Sequence, residues 1–310
     1  MCACADGRGL VHHGLVHPPS ADLAAVFAPL IAERLARQEP VLAVLPPATA
    51  ARLRDRLPTL PGLHTIDSGS FYRHPGRVLG HYLSWTTDTS RGQPATIVAA
   101  PDPGGDNAHR AALWMHIEAL TNQALAACDL TLVCAYPENS ATATAVRQAH
   151  PSLLNGDVIP NPDHLSIDDF LARYPLPPPA DLGPPEITRI FDHPRQLAEL
   201  RRIVDARAVH AQLPTTRRQD LVLAVTEVAT NALQYGIPPA AVCLWTTSTS
   251  VITQITDNGR FSQPLAGLLP PPGNQRRASG LWMARQLCDE LYLWPDPTTL
   301  RLHMDRLPAP

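Results

Sequence analysis

Glu227 and Asn231 stand four residues apart in Asp220–Leu233, which reads DLVLAVTEVATNAL. At helical spacing they share one face, while Leu221, Val225, Val228 and Ala232 can turn toward a core. A carboxylate and an amide aligned this way can set a general base beside a magnesium ligand, and the same spacing also suits a solvated polar face. Asp257-Asn258-Gly259 closes the stretch Val251–Thr256, and as a triplet it reads as a turn, because Asn and Gly tolerate positive φ. Ser279-Gly280-Leu281 opens a helical stretch after a long loop. Glycine there lets backbone N–H groups approach an anion that the helix dipole favours, and an ordinary cap uses the same residues. Nearer the start, Leu10–His17 reads LVHHGLVH. In a strand, His13 and His17 take one face and His12 the other. With Cys2 and Cys4 close by, these are candidate metal ligands at a spacing that matches no established zinc pattern; a histidine-gated ligand pocket is the competing use.

Composition removes other chemistries. All 25 basic residues are arginine. With no lysine there is no Walker A phosphate loop and no Schiff-base chemistry. A net charge of -3 gives no global attraction to nucleic acid or to an anionic membrane. Six cysteines at 2, 4, 128, 134, 243 and 288 form neither a disulfide framework nor a CxxC pair. No apolar run approaches the ~18 residues of a membrane span, and the first residues lack a signal-peptide pattern. A cytoplasmic location is expected.

Two domains must position these residues. Six prolines between Pro175 and Pro185 mark residues 174–186 as a semi-rigid linker between a domain at 1–173 and one at 187–310. Before it, apolar runs at Leu10–His17, Val41–Leu45, Leu63–Ile66, Thr96–Ala100 and Thr131–Ala135 alternate with helical stretches at Ala21–Arg37, Thr49–Leu57, Pro75–Trp85 and Asn107–Ala127. That alternation predicts an α/β domain with a mostly parallel sheet covered on both faces. After the linker, a strand (Ile187–Phe191) precedes helices at Pro194–Gln212 and Thr215–Leu233. Strands follow at Val242–Thr247 and Val251–Thr256, then a helix at Leu281–Glu290 and strands at Leu291–Trp294 and Thr299–Met304. This order predicts an α+β sandwich with helices on one face of the sheet.

A Glu-x-x-x-Asn helix, a strand ending in Asp-x-Gly and a loop running into Gly-Leu resemble, in that order, the ATP-binding fold of the GHKL superfamily (the HATPase type). The match is closest to the bacterial anti-sigma-factor serine/threonine kinases and spans roughly Ile187–Leu307. The resemblance implies an ATP and Mg2+ site with Glu227 as the catalytic base and Asn231 as the magnesium ligand. It implies that Asp257 accepts from the adenine amino group and that Gly259 allows close approach of the base. Gly280 and Leu281 would form the turn contacting phosphates, and Thr299 the late threonine near adenine. The loop Arg260–Ser279 would be the nucleotide lid, with Arg276 and Arg277 as candidate γ-phosphate contacts. The chain departs from the pattern at Tyr235, where histidine is usual, at the single glycine of Arg277-Ala278-Ser279-Gly280, and at Pro297, where glycine commonly precedes two threonines. The implied partners are a sigma factor, an anti-anti-sigma protein, or both. The output is phosphorylation of the latter on Ser or Thr or, alternatively, sequestration by a catalytically degenerate binding module. The family also admits a homodimer. His193 and His210 lie in no phosphoacceptor helix, which argues against histidine autophosphorylation.

The start of the chain, with Pro40–Pro47 and the Tyr72-Arg73-His74-Pro75 turn, looks like the MEDS sensory domain over residues 8–172. That domain often precedes an anti-sigma-type ATPase domain, and it implies a small-molecule ligand at the N-terminal domain. Asp67, Tyr72, Arg73 and His74 are candidate pocket residues, with a structural strand-to-helix turn as the competing reading. Pro101–Asp106 reads as a loop.

Overall fold

The computed structural model describes residues 9–57, 61–90, 93–101, 107–139, 142–271 and 279–306. The chain divides into two compact units, Met1–Pro177 and Pro178–Pro310. Among the described residues, no helix is long and apolar enough to cross a membrane.

In chain order the first unit contains β1 (Leu10–His17), α1 (Leu23–Ala36), β2 (Val41–Leu45), α2 (Pro47–Arg56), β3 (Leu63–Asp67), α3 (Ser68–Phe71), α4 (Val78–Ser90) and β4 (Ala95–Ala99). It continues with α5 (Ala108–Ala124), β5 (Leu130–Pro137), α6 (Ala143–Ala149), β6 (Ser152–Asn155), β7 (Asp157–Pro160) and α7 (Ile167–Arg173). The seven strands run β3-β2-β4-β5-β1-β6-β7. Every pairing is parallel except that of β6 with β7. Strand β2 is buried at all five positions because helices cover both faces, so it needs no polar alternation. On one face Phe27 and Ile31 of α1 and Leu53 of α2 pack against Val41, Ala43, Val98 and Val133. On the other, Trp114 of α5, Val146 of α6 and Phe170 of α7 pack against Leu42, Ile97, Leu132 and Tyr136.

The second unit runs β8 (Ile187–Phe191), α8 (Leu197–His210), α9 (Thr215–Tyr235), β9 (Ala240–Thr246), β10 (Ser250–Thr256), α10 (Ser279–Leu287), β11 (Glu290–Pro295) and β12 (Thr298–Asp305). Its strands pair antiparallel in the order β11-β12-β10-β9-β8. Val204 of α8, Leu221, Val225 and Val228 of α9, and Ala284 of α10 share one core with Val251, Ile255, Leu300 and Leu302. Alternate strand positions face away from the helices. There Arg301 donates to Gln254 Oε1 and to the carbonyl of Ala180, and Trp245 donates to the carbonyl of Gly183. These bonds hold the C-terminal part of the Pro-rich stretch on the second unit's sheet. Tyr174 accepts a hydrogen bond from His116 and donates one to Gln148 within the first unit.

Two expectations need correction. The helix read as Leu281–Glu290 ends at Leu287, and Glu290 begins β11. Asp289 makes the break: its N–H bonds the carbonyl of His303, and its carboxylate takes Arg217 and the N–H of Asp305. The first unit also holds α6, β6, β7 and α7, which the periodicity did not reveal.

Candidate functional site

Asp257 leaves the end of β10 on the helix-facing side of the sheet and is buried. Its Oδ1 accepts from the N–H of Gly259 at 2.7 Å and from the N–H of Ile237 at 3.2 Å. Both donors reach the same oxygen, and among the described residues Oδ2 has no hydrogen-bond partner. Gly236, at the end of α9, packs directly on this carboxylate: a Cβ there would stand 2.5 Å from Asp257 Cγ. At Gly259 it would stand 2.7 Å from Oδ1. Asn258 donates to the carbonyls of Ile237 and Pro239, which holds the α9–β9 connection against the turn. The backbone of Thr298 closes the floor, accepting from Asp257 N–H and donating to Gly259 C=O.

Glu227 and Asn231 lie half-buried on α9, and the start of α10 sits on them. A Cβ at Gly280 would lie 2.6 Å from Glu227 Oε2 and 3.6 Å from Asn231 Nδ2, so glycine permits the approach. The N-terminus of α10 therefore meets the carboxylate–amide pair, a place for phosphate charge and a cation. An open groove of about 540 Å³ between α8 and α9 also reaches Glu227 and is lined by Arg201, Arg202, Val222 and Leu223 among others.

Two residues expected at this site direct their side chains elsewhere. The side chain of Leu281 is core, packed under Gly267, whose φ of +72° suits glycine. Thr299 pairs across the sheet with Thr256, and its hydroxyl lies 3.2 Å from that of Thr256. Both point to the face opposite Asp257, since Ile255 and Leu300, one residue away on each strand, belong to the helix-side core. Strand alternation puts Thr298 on the Asp257 side. The two threonines are adjacent in sequence, and only the register separates them. Of the expected lid, Arg260 pairs with Asp296 and Leu268 is buried, while Arg276 and Arg277 lie outside the described residues. Tyr235 is exposed at the end of α9.

In the first unit, Asp67 caps α3 through Gly69 and Ser70, Tyr72 pairs its hydroxyl with that of Tyr82, and Arg110 clamps the carbonyls of Tyr72 and Arg73. That turn is a structural joint. His13 meets Ser152, and His17 meets the carbonyl of Pro18. His12 goes elsewhere: it joins Glu118, Cys134 and His150 in a buried cluster that no sequence spacing suggested. Burial, with His150 adding, lowers the pKa of His12. Burial opposes ionisation of Glu118; the two imidazoles, when protonated, outweigh it and hold the carboxyl below its usual range. Cys2, Cys4 and residues 102–106 lie outside the described residues.

Comparison with protein families decides the assignment. Residues 191–304 match the family model of the histidine kinase-like ATPase domain, and residues 11–151 match that of the MEDS domain, described as the methanogen/methylotroph, DcmR sensory domain. The chain joins a MEDS sensory domain to a histidine kinase-like ATPase domain. No curated protein matches it. This pairing makes the protein a signalling regulator, and an ATPase domain of this type implies nucleotide binding. The antiparallel sheet with helices on one face accords with the GHKL type.

Proposed function

We propose that the ATPase domain binds Mg-ATP and acts on a sigma factor or an anti-anti-sigma protein, phosphorylating the latter on Ser or Thr. The observation that carries this reading is the convergence of Glu227, Asn231 and the backbone of Gly280, together with a buried Asp257 held at the C-terminal end of the same helix α9 by Gly236 and Ile237. Asp257 Oδ2 would accept from the exocyclic amino group of the base, with Gly236 and Gly259 giving the ring room to approach. Asn231 would hold the magnesium ion, and the first N–H groups of α10 would receive phosphate oxygens. Bound Mg-ATP supplies the transferable phosphoryl group. Glu227 would take the proton of an acceptor hydroxyl entering along the α8–α9 groove, where Arg201 and Arg202 offer charge to a protein partner. With lysine absent from the chain, magnesium, backbone N–H groups and arginine are what remains to neutralise the γ-phosphate.

Calorimetry of Mg-ATP and radiolabelled transfer to a purified anti-anti-sigma protein test the reading together. Transfer by the wild type, abolished in Glu227→Ala with nucleotide binding retained, supports the kinase. Nucleotide binding without transfer under any condition favours a partner-sequestering module. No nucleotide binding overturns the proposed site.

A further inference from the structure

His12 comes from β1, Cys134 from the neighbouring strand β5, Glu118 from α5, and His150 from the residue after α6; all four are buried. Glu118 Oε1 lies 2.9 Å from His150 Nε2 and 3.4 Å from His12 Nε2, and Cys134 Sγ lies 3.6 Å from His12 Nε2. All four candidate donor atoms fall within 4.8 Å of one another. A tetrahedral ion bound at about 2.0–2.1 Å to N and O and about 2.3 Å to S has donor–donor edges of roughly 3.3–3.8 Å. The cluster is already close to that size.

The surroundings fix where the lone pairs point. Asn122 gives its amide hydrogens to the carbonyls of Ala119 and Ala149, so its Oδ1 must accept, and His12 Nδ1 donates to it at 3.0 Å. His150 Nδ1 donates to the carbonyl of Val146 at 2.6 Å. In the neutral rings each Nε2 therefore turns a lone pair inward, toward a carboxylate. His150 Nε2 and Glu118 Oε1 approach closely, yet among the described residues neither has a hydrogen-bond partner. Two facing lone pairs in a buried site repel, and a cation shared between them removes the conflict. Gly14, on the same face of β1 as His12, makes the space: a Cβ there would lie 2.9 Å from His150 Cγ.

We propose that His12, Glu118, Cys134 and His150 bind one divalent transition-metal ion of the Zn2+ class inside the sensory domain. Two imidazoles and a thiolate select against Mg2+ and Ca2+, which take oxygen ligands. Four protein ligands close the coordination sphere, which makes the site structural or sensory rather than hydrolytic. Asn122 is a positioning residue that aims His12.

The test uses the full-length chain, stripped with chelator and then dialysed against Zn2+ or Co2+. The expected result is one metal per chain by elemental analysis. The Co2+ form should show the strong visible bands of a tetrahedral site and a near-ultraviolet thiolate-to-cobalt band. Cys134→Ser should abolish the near-ultraviolet band, and Asn122→Ala should weaken Zn2+ affinity about 10- to 100-fold while the protein stays folded by circular dichroism. The double variant Cys2→Ser, Cys4→Ser should change nothing. A wild type that retains no stoichiometric metal overturns the proposal and leaves a protonated His–Glu ion pair in its place. A thiolate band that survives Cys134→Ser, or is lost with Cys2 and Cys4, overturns it equally.

Discussion

Replacing Asp257 by asparagine isolates the base-recognition role from the structural one. In the native site Oδ1 satisfies the N–H groups of Gly259 and Ile237. Alanine would strand both donors at about 1–3 kcal/mol each, so weaker nucleotide binding in Asp257→Ala would be confounded with damage to the pocket. Asparagine keeps a carbonyl oxygen where Oδ1 stands, and the two backbone donors orient it. The cost to folding is about 1 kcal/mol, the difference between a charged and a neutral acceptor. What changes is the other position, where an acceptor becomes an N–H2 donor facing the base. Adenine then loses a hydrogen bond to a charged acceptor, about 1.5–3 kcal/mol, or roughly 10- to 150-fold in Kd. Inosine triphosphate carries an oxo group where adenine carries its amino group. It should bind the wild type poorly and gain affinity in Asp257→Asn, reversing the preference. Titration calorimetry of both nucleotides against both proteins reads this directly. If Asp257→Asn is folded and keeps the wild-type preference for ATP over inosine triphosphate, Asp257 does not face the base and the pocket is wrongly oriented.

Gly280→Ala should leave unfolding unchanged or slightly raised, since alanine gains about 1 kcal/mol over glycine in a helix. Its Cβ would stand 2.6 Å from Glu227 Oε2, so the carboxylate must shift by nearly an ångström to reach ordinary contact. A misplacement of that size costs on the order of 10²-fold in rate, to be read by phosphotransfer kinetics; an unaltered rate would remove Glu227 from the chemistry. Thr298→Val should weaken Mg-ATP binding while Thr299→Val leaves it unaltered; the opposite pattern in calorimetry would refute the face assignment drawn from the β10–β12 register. Asp305 has a raised pKa, chiefly from burial and then from Asp289, so the fold favours its protonated form and loses that advantage as pH rises through its folded pKa. Asp305→Asn still accepts from Ser250 and should raise the denaturation midpoint at neutral pH, with the gain vanishing in acid; a gain constant across pH would contradict the linkage.

The parts of the fold that could be read from the sequence are those where one local pattern dominates. Leu10–His17 and Val41–Leu45 are runs of strand length that each lead into a helical stretch, and they are β1 and β2 residue for residue. Glu227 and Asn231 were legible as a pair because helical spacing alone aligns them. The boundary at Glu290 was not legible, because the break depends on Asp289 meeting Arg217, 72 residues earlier in the chain. Likewise α6, reading ATAVRQA, is short and carries too few large apolar residues for its period to stand out. Thr298 and Thr299 differ by one position, and only the pairing of β10 with β12 says which one faces Asp257.

The buried cluster was illegible for a topological reason. His12, Glu118, Cys134 and His150 sit on four elements, and no ligand pair falls within the two-to-five-residue spacing by which metal sites announce themselves. They meet because β1, first in the chain, enters the sheet between β5 and β6, with Gly14 beside Cys134 in register. A sequence pattern sees His12, His13 and His17 as neighbours, yet strand alternation sends His12 alone into that layer. Gly14 is the one local trace: a glycine in the middle of a buried strand weakens it unless something must come close. What comes close is the ring of His150. A sheet that gives up a side chain at its centre to admit an imidazole is built around the cluster, and that is the strongest physical reason to look for an ion there.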